Sequence, residues 1–226
     1  MTGVRPDDPR DAVPQWVLPL VVRAERTAPP ERTDALEAAA LAVLSLLTDP
    51  CATGDGEWAE AVRSWTDARI RKVVRRARGA EWRRAGELTG ITVTRGSAEV
   101  RVFPPVPVDG WPRDLARLQV SGTDLDDPVP PPPPAAGVPV LWLNPQLDMT
   151  AGKAMAQVGH AAQLGLAALD PSDRARWRQA GFPLAVRTAA AEQWARLLDD
   201  DLPVVRDAGF TEVAPGTCTA VAELVR

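Results

Sequence analysis

Three polar residues with chemically active side chains lie four and three positions apart in the run Met149–Ala162. They are Lys153, Gln157 and His160, the last being the single histidine of the chain. At about 100° per residue, this spacing brings an ammonium, an amide and an imidazole onto one stripe of a helix. The small apolar residues around them let the helix pack without using that stripe. The pattern indicates a functional site; the competing interpretation is a buried, hydrogen-bonded structural histidine.

The elements around this stripe are readable from the same stretch of sequence. The apolar run Val138–Leu143 predicts a strand, and Asn144-Pro145 ends it before the helix begins. Asp148 or Thr150 is a suitable helix N-cap. The unpaired amides of that helix start favour an anionic group close to Lys153, so a phosphate or an oxyanion is the expected ligand.

Three further blocks follow in the second half of the chain. They are Phe182–Arg187, then Asp207-Ala208-Gly209 with Thr211, then Ala214–Thr217 with Thr219. Together with Gly152-Lys153, Ala156-Gln157 and His160-Ala161, these blocks resemble, in the same order, the motifs of the type 2 peptidyl-tRNA hydrolases. The resemblance extends from about Val138 to Leu224.

The resemblance implies hydrolysis of the ester that joins a peptide to the terminal ribose of tRNA, with water as the nucleophile. In this role Lys153 stabilises the oxyanion or binds a phosphate, and Asp207 orients water or pairs with Lys153. Gln157 fixes substrate or water, and His160 is a base or a helper of Asp207. No metal or other cofactor is implied.

The resemblance also implies a substrate-binding set. Thr217, Thr219 and Gly152 are expected to bind the ribose end or the peptide carbonyl, and Thr211 is expected to take part in the chemistry. The alternative is that these threonines only satisfy the backbone groups of turns.

The chain divides at a seam that contains consecutive prolines, Pro130–Pro134, which favour an extended, semi-rigid segment. We therefore expect an α/β domain over residues 1–120, a proline-rich linker over 121–137 and a hydrolase-like domain over 138–226. The predicted fold class is α/β with two small mixed-sheet units. The second resembles the type 2 peptidyl-tRNA hydrolases, and the first is a degenerate duplicate of it.

The first half has its own order of predicted elements. Strands are expected at Trp16–Arg23, Arg71–Arg75, Ile91–Arg95 and Ala98–Phe103, and helices at Glu31–Leu47, Glu57–Asp67 and Glu81–Leu88. Val74 and Trp82 match Val186 and Trp194 at a constant offset of 112 residues. The alternative to a duplication is two unrelated α/β units.

The first half lacks the chemical residues of the second. Its first helix has neither a Gly-Lys start nor a histidine, and Arg95 stands at the position that corresponds to Asp207. Since members of the family are typically homodimers, we expect the first half to pack on the second as an internal pseudo-dimer. A homodimer of the whole chain remains open.

A basic island, defined here as Arg63 to Arg84, holds nine basic and two acidic residues. The second half is acidic, so this island is the expected site of phosphate contacts with tRNA, through Arg75, Arg76 and Arg78. Trp65 and Trp82 lie within it and either stack on exposed bases or belong to the core. A solvated helix face is the alternative for the arginines.

Composition bounds the class of protein. The 226 residues are 45% hydrophobic and 25% charged, which suits one large or two small globular domains. Two distant cysteines and one histidine do not form a recognisable zinc motif. No membrane span and no signal peptide are recognised, so a cytoplasmic enzyme is expected. The remaining alternatives are a non-catalytic RNA-binding paralogue and a protein-interaction adaptor that uses the prolines.

Overall fold

Two mixed β-sheets with helices against them form the α/β fold of the computed structural model, which describes residues 9–209 and 212–224. The first half contains β1 (Trp16–Arg23), α1 (Arg32–Leu47), α2 (Ala59–Asp67), β2 (Arg71–Ala77), α3 (Gly79–Glu87), β3 (Ile91–Arg95), β4 (Ala98–Val102), β5 (Val106–Pro107) and α4 (Arg113–Ala116). The second half contains β6 (Val140–Leu143), α5 (Ala151–Ala168), α6 (Pro171–Gln179), β7 (Ala185–Thr188), α7 (Ala191–Asp199), β8 (Val204–Arg206) and β9 (Cys218–Glu223). The fold class predicted from the sequence is confirmed.

The two sheets share one strand order. The first runs β2-β1-β4-β3, with β5 beside β1, and the second runs β7-β6-β9-β8. In each sheet the first two strands of the chain are parallel and the other pairs are antiparallel. A parallel pair needs a long crossover, and α1 and α5 begin those crossovers in the two halves.

Helices α1 and α5 pack against each other, each also covering one sheet. Alternate residues of β1, Leu18, Leu20 and Val22, share one hydrophobic cluster with Leu141 of β6 and with both helices. Both helices are rich in alanine, and most of their residues are buried. The halves therefore share a continuous core rather than meeting only through a linker.

Gly159 of α5 lies close to α1 and β2 of the first half. A Cβ atom at this position would lie 3.1 Å from Cγ2 of Val43 on α1 and 3.2 Å from Cδ of Lys72 on β2. These distances are shorter than ordinary van der Waals contacts between side-chain atoms. The absent side chain thus sets how near α5 lies to α1 and β2.

The segment with the prolines is bonded to both halves. Asp127 accepts hydrogen bonds from the amide and hydroxyl of Thr33 at the start of α1, at 2.8 and 2.7 Å. The carbonyl of Pro132 accepts from Nε of Arg187 on β7, at 2.9 Å. The amide of Ala151 donates to the carbonyl of Thr123, at 3.0 Å. These contacts fix the segment against α1, α5 and β7.

Within the described residues, no helix has the length and apolar character needed to cross a membrane. The same part of the chain holds no group of three or more His, Cys, Asp or Glu side chains placed to bind a metal ion. Cys51 and Cys218 are both free thiols.

We expect Gly159→Leu to lower the free energy of unfolding by about 1–3 kcal/mol, because the added side chain must displace Val43 and the stem of Lys72. Gly86→Leu is the matched control: Gly86 also lies in a helix, but the space around it is open. There, better helix propensity should leave stability unchanged or raise it by about 0.5–1 kcal/mol. Urea unfolding measures both changes, and equal effects would contradict close packing at Gly159.

Candidate active site

The helix that carries the polar stripe begins at a capped terminus. Thr150 is the N-cap of α5, and its hydroxyl accepts a hydrogen bond from the amide of Lys153 at 3.3 Å. The carboxylate of Glu212 accepts from the amide and the hydroxyl of Thr150, at 3.0 and 2.7 Å. The capping role thus belongs to Thr150 rather than to Asp148. The anionic group beside this helix start is a side chain of the protein itself.

Asp207 follows the last residue of β8 and faces the stripe of α5. Its backbone is held by two hydrogen bonds, from its amide to the carbonyl of Thr217 at 2.9 Å and from the amide of Gly216 at 2.7 Å. Its Oδ1 accepts from the amide of Gly209 at 2.7 Å. Gly209 has a φ of 79°, and a Cβ atom there would lie 2.3 Å from Cγ of Pro215. The tight turn that fixes the carboxylate therefore requires glycine.

Lys153 and Gln157 meet on one oxygen of Asp207. Nζ of Lys153 lies 2.5 Å from Oδ2, and Nε2 of Gln157 donates to the same oxygen at 2.9 Å. The side chains of Lys153 and Asp207 are 11% and 8% exposed. A charge pair at this depth is little screened by salt, so its geometry is held more firmly than that of a surface pair.

Thr219 fixes the orientation of the Gln157 amide. Its hydroxyl donates to Oε1 of Gln157 at 2.5 Å, which turns the NH2 group of the amide toward Asp207. Thr219 is fully buried, and Gln157 is 3% exposed. The contact of Thr219 is therefore with Gln157, beneath the cleft surface. Thr217 takes part through its backbone, and Thr211 lies outside the described residues.

His160 lies one turn beyond Gln157 and contacts the other half of the chain. Its Nδ1 is 3.0 Å from Nζ of Lys72 on β2, and the same Nζ donates to Oε1 of Gln163 at 2.6 Å. Loss of solvent around the ring, followed by the positive charges of Lys72 and Lys153, lowers the pKa of His160 well below its ordinary value. Burial lowers the pKa of Lys72 well below its ordinary value.

These side chains line a cleft of about 640 Å³, called the main cleft below. The second half contributes Gly152, Lys153, Gln157, His160, Arg206, Asp207 and Glu212, and the first half contributes Arg10, Arg69, Lys72 and neighbouring residues of β2. The cation and the carboxylate predicted from the sequence thus converge at one solvent-reachable cleft. The sequence does not predict that residues of β2 form one wall of this cleft.

The basic island is divided between cleft and framework. Nη1 of Arg75 donates to the carbonyl of Leu118 at 2.6 Å, and its guanidinium lies 4.3 Å from the ring centre of Trp111. Nη1 of Arg76 donates to the carbonyl of Gly122 at 2.5 Å. Arg78 is exposed, just before α3. These three arginines lie outside the residues that line the main cleft, whereas Arg69, Arg71 and Lys72 line it.

Of the two alternatives for Trp65, stacking on bases or a place in the core, the structure supports the core. The indole is fully buried, and its Nε1 donates to the carbonyl of Arg71 at 2.8 Å. Trp82 is half-buried and packs on the cluster behind the first sheet. Both tryptophans serve packing, because the apolar area of an indole is more stable in the core than at a charged surface.

A second cleft, of about 740 Å³, lies at the corresponding place in the other sheet. It is lined by the start of α1, the end of β3, the approach to β7, and Pro130–Pro134. Glu37 of α1 pairs with Arg95 and with Arg187, each at 2.9 Å. In this cleft the helix carries the acidic residue and the strand end carries the basic one. In the main cleft the helix carries Lys153 and the strand end carries Asp207, so the two charges are exchanged.

Residues 138–223 match the family model described as peptidyl-tRNA hydrolase PTH2. The matched stretch contains the whole second sheet, α5 and the four residues Lys153, Gln157, His160 and Asp207. The first sheet, including the Lys72 wall of the main cleft, lies outside the match. The second half is thus similar to this family over residues 138–223.

The environment of His160 predicts how stability depends on pH. Because its folded-state pKa lies well below 6.5, the unfolded chain binds a proton in a range where the folded chain does not. Stability is therefore lost as the pH falls below about 6.5, by up to about 1.4 kcal/mol per pH unit from this group. His160→Asn should flatten the curve of unfolding free energy between pH 6.5 and 5. Parallel curves for the two proteins would contradict this environment.

Proposed function

We propose that the main cleft hydrolyses the ester bond between a peptide, or an N-blocked amino acid, and tRNA. The observation that carries this proposal is the pair of contacts on Asp207, in which Lys153 and Gln157 share one carboxylate oxygen inside an open cleft. The peptidyl-tRNA hydrolase match over the same residues supports the reaction class. The substrate is a product of translation, so we propose the cytoplasm as the location.

The proposed reaction is an attack by water on the ester carbonyl. The water oxygen bonds to the carbonyl carbon, the carbonyl oxygen takes up negative charge, and the bond to the ribose oxygen then breaks. The attacking water gives up its two protons: one ends on the ribose oxygen and the other is released to solvent, so that free tRNA and a peptide carboxylate leave. An ammonium in a partly dehydrated cleft stabilises the developing oxyanion, and we assign this role to Lys153, with about 3–4 kcal/mol as the usual scale for one such donor.

Asp207 is proposed to orient the water. A carboxylate offers about four lone-pair sites; in Asp207, Oδ2 accepts from Lys153 and Gln157, whereas Oδ1 accepts from the amide of Gly209. Oδ1 thus has capacity for one more donor, such as a water molecule. Gln157 holds Oδ2 in place, and Thr219 holds Gln157.

The cleft has the size of a typical small-molecule site, which suits the aminoacylated terminal nucleotide of a tRNA. Phosphate groups upstream of that nucleotide need cations near the opening of the cleft. Arg71 and Arg206 line the cleft and meet this need, whereas Arg69, which also lines it, is paired with Asp11 at 2.7 Å. Arg75 and Arg76 are engaged with carbonyl oxygens of the first half, so among the three arginines proposed from the sequence Arg78 has the greater freedom to contact RNA.

We further propose that the first half is a degenerate duplicate that takes the place of a partner subunit. The shared strand order, the recurrence of Val74 and Trp82 at Val186 and Trp194, and the packing of α1 on α5 support this origin. Its own cleft, with Glu37 and Arg95 in exchanged positions and prolines along its wall, is unsuited to the same chemistry. Two unrelated units remain the alternative.

The direct test is deacylation of an N-acetylated aminoacyl-tRNA by the purified full chain. We expect Lys153→Met and Asp207→Asn each to lower kcat/KM by about 100-fold or more, because each removes a group that touches the reacting atoms. Arg84→Gln, at an exposed position on α3, is the matched control and should act like the wild type. A wild-type chain that binds the tRNA but leaves the ester intact would instead identify a non-catalytic RNA-binding paralogue.

The cations at the opening predict a separate effect. Arg71→Gln combined with Arg206→Gln should raise KM for the tRNA substrate about tenfold while kcat changes little, because two cations that bind phosphate groups are removed. The slope of log KM against log salt should become shallower by about one to two. The triple variant of Arg75, Arg76 and Arg78 to Gln, assayed in parallel, tests the alternative phosphate site. A larger effect in that triple variant would move the RNA-binding surface away from the cleft.

A further inference from the structure

A buried lysine of the first half reaches the polar stripe of the second. Lys72 is 8% exposed, and its Nζ lies 4.8 Å from the ring centre of the buried Trp65. Its stem runs beside Gly159, where a side chain would collide with it. The amine thus sits at the junction of β2, α2 and α5, with its hydrogen bonds directed to His160 and Gln163.

The two partners of Lys72 fix where its hydrogens point. Oε1 of Gln163 is an acceptor, so one N–H of Lys72 is directed at it, over 2.6 Å. The amine of Lys72 has a second N–H whether or not it is charged, and this N–H is directed at Nδ1 of His160, over 3.0 Å. An imidazole that accepts at Nδ1 is neutral and carries its own proton at Nε2.

We infer that Lys72 is a positioning residue of the main cleft: by donating to Nδ1 it holds His160 as the neutral imidazole with its proton on Nε2. His160 then offers an N–H donor to a carbonyl or hydroxyl oxygen of the ester substrate and does not serve as a base. This use of the imidazole rests on the proposed function, whereas the tautomer itself does not. The expectation of a general base is replaced by that of a donor.

Other charges face this pair from every neighbouring element. Lys153 lies on the same helix as His160, Arg71 is next to Lys72 on β2, and Asp207 follows β8. Further charged residues that line the cleft are Arg10, Arg69, Arg206 and Glu212. The excess of cations disfavours a second positive charge on the imidazole, which agrees with the lowered pKa of His160.

The placement of Lys72 is specific to one of the two clefts. The residue 112 positions later, Leu184, lines the second cleft and carries no donor. Lys72 itself lies outside the stretch that matches the family model. The positioning contact is therefore a contribution of the first half to the chemistry of the second.

The single histidine makes this inference directly measurable. The full chain with ¹⁵N-labelled imidazole gives one pair of ring nitrogen signals, whose couplings to the carbon-bound ring protons report the tautomer. We expect an acceptor-type Nδ1 and a protonated Nε2 at pH 7.5 in the wild type. A proton on Nδ1 in the wild type would overturn the inference without reference to any variant.

Lys72→Met tests the cause, since methionine keeps an unbranched stem but removes the donors. We expect the tautomer preference to weaken and the midpoint of the His160 titration to rise by at least about one pH unit. Arg71→Met, which removes a neighbouring charge but keeps the hydrogen bond, is the matched control and should retain the tautomer. An unchanged His160 spectrum in folded Lys72→Met would overturn the assignment.

Kinetics separate this inference from the proposed function. With an N-acetylated aminoacyl-tRNA, Lys72→Met should lower kcat by about 10- to 100-fold and leave KM within about twofold, because the variant misdirects a donor to the ester but leaves RNA binding intact. If the wild type shows the expected tautomer but no hydrolysis, the proposed function fails and the role of Lys72 in holding His160 stands. If hydrolysis proceeds and Lys72→Met leaves kcat unchanged, the positioning role fails.

Discussion

Helix α5 packs against three surfaces at once, and this constraint determines the arrangement of the site. One side packs on the second sheet, another packs on α1, and a third approaches β2 of the first sheet. Alanine and glycine make these approaches possible because larger side chains would separate the layers. Only a narrow stripe is left toward the main cleft, and it carries Lys153, Gln157 and His160. The polar groups are therefore held by packing on every other face of the helix.

Most of the framework follows from patterns in the sequence. The strands Trp16–Arg23 and Ile91–Arg95 have the bounds that their β-branched and apolar runs predict, and glycines flank the second of them. Helix spacing likewise brought Lys153 and Gln157 to one face. Their partner Asp207 came from the resemblance to a family, since a contact across 54 residues has no local pattern.

Lys72 shows what the sequence could not decide. Nine basic residues lie between Arg63 and Arg84, and each of them is equally compatible with an exposed position. Alternation along β2 offered a signal, because Lys72 shares a strand face with Val74, and both are buried. This alternation indicates burial of Lys72 only when the parallel register of β2 with β1 and the position of Gly159 on α5 are known. The sequence could not predict the hydrogen bonds of Arg75 and Arg76 to carbonyl oxygens either, because those carbonyls belong to residues far away along the chain.

A polypeptide that contains two sheets of the same strand order is free of a restriction that symmetry imposes on homodimers. In a two-fold assembly each substitution occurs twice, so a residue that improves one active centre must also be tolerated at the other. Here the lysine beside one imidazole and the leucine at the matching place of the other cleft are encoded separately. Substitutions can therefore change the main cleft from both sides without changing the second cleft, where Pro130–Pro134 line the wall and Glu37 of the helix pairs with Arg95.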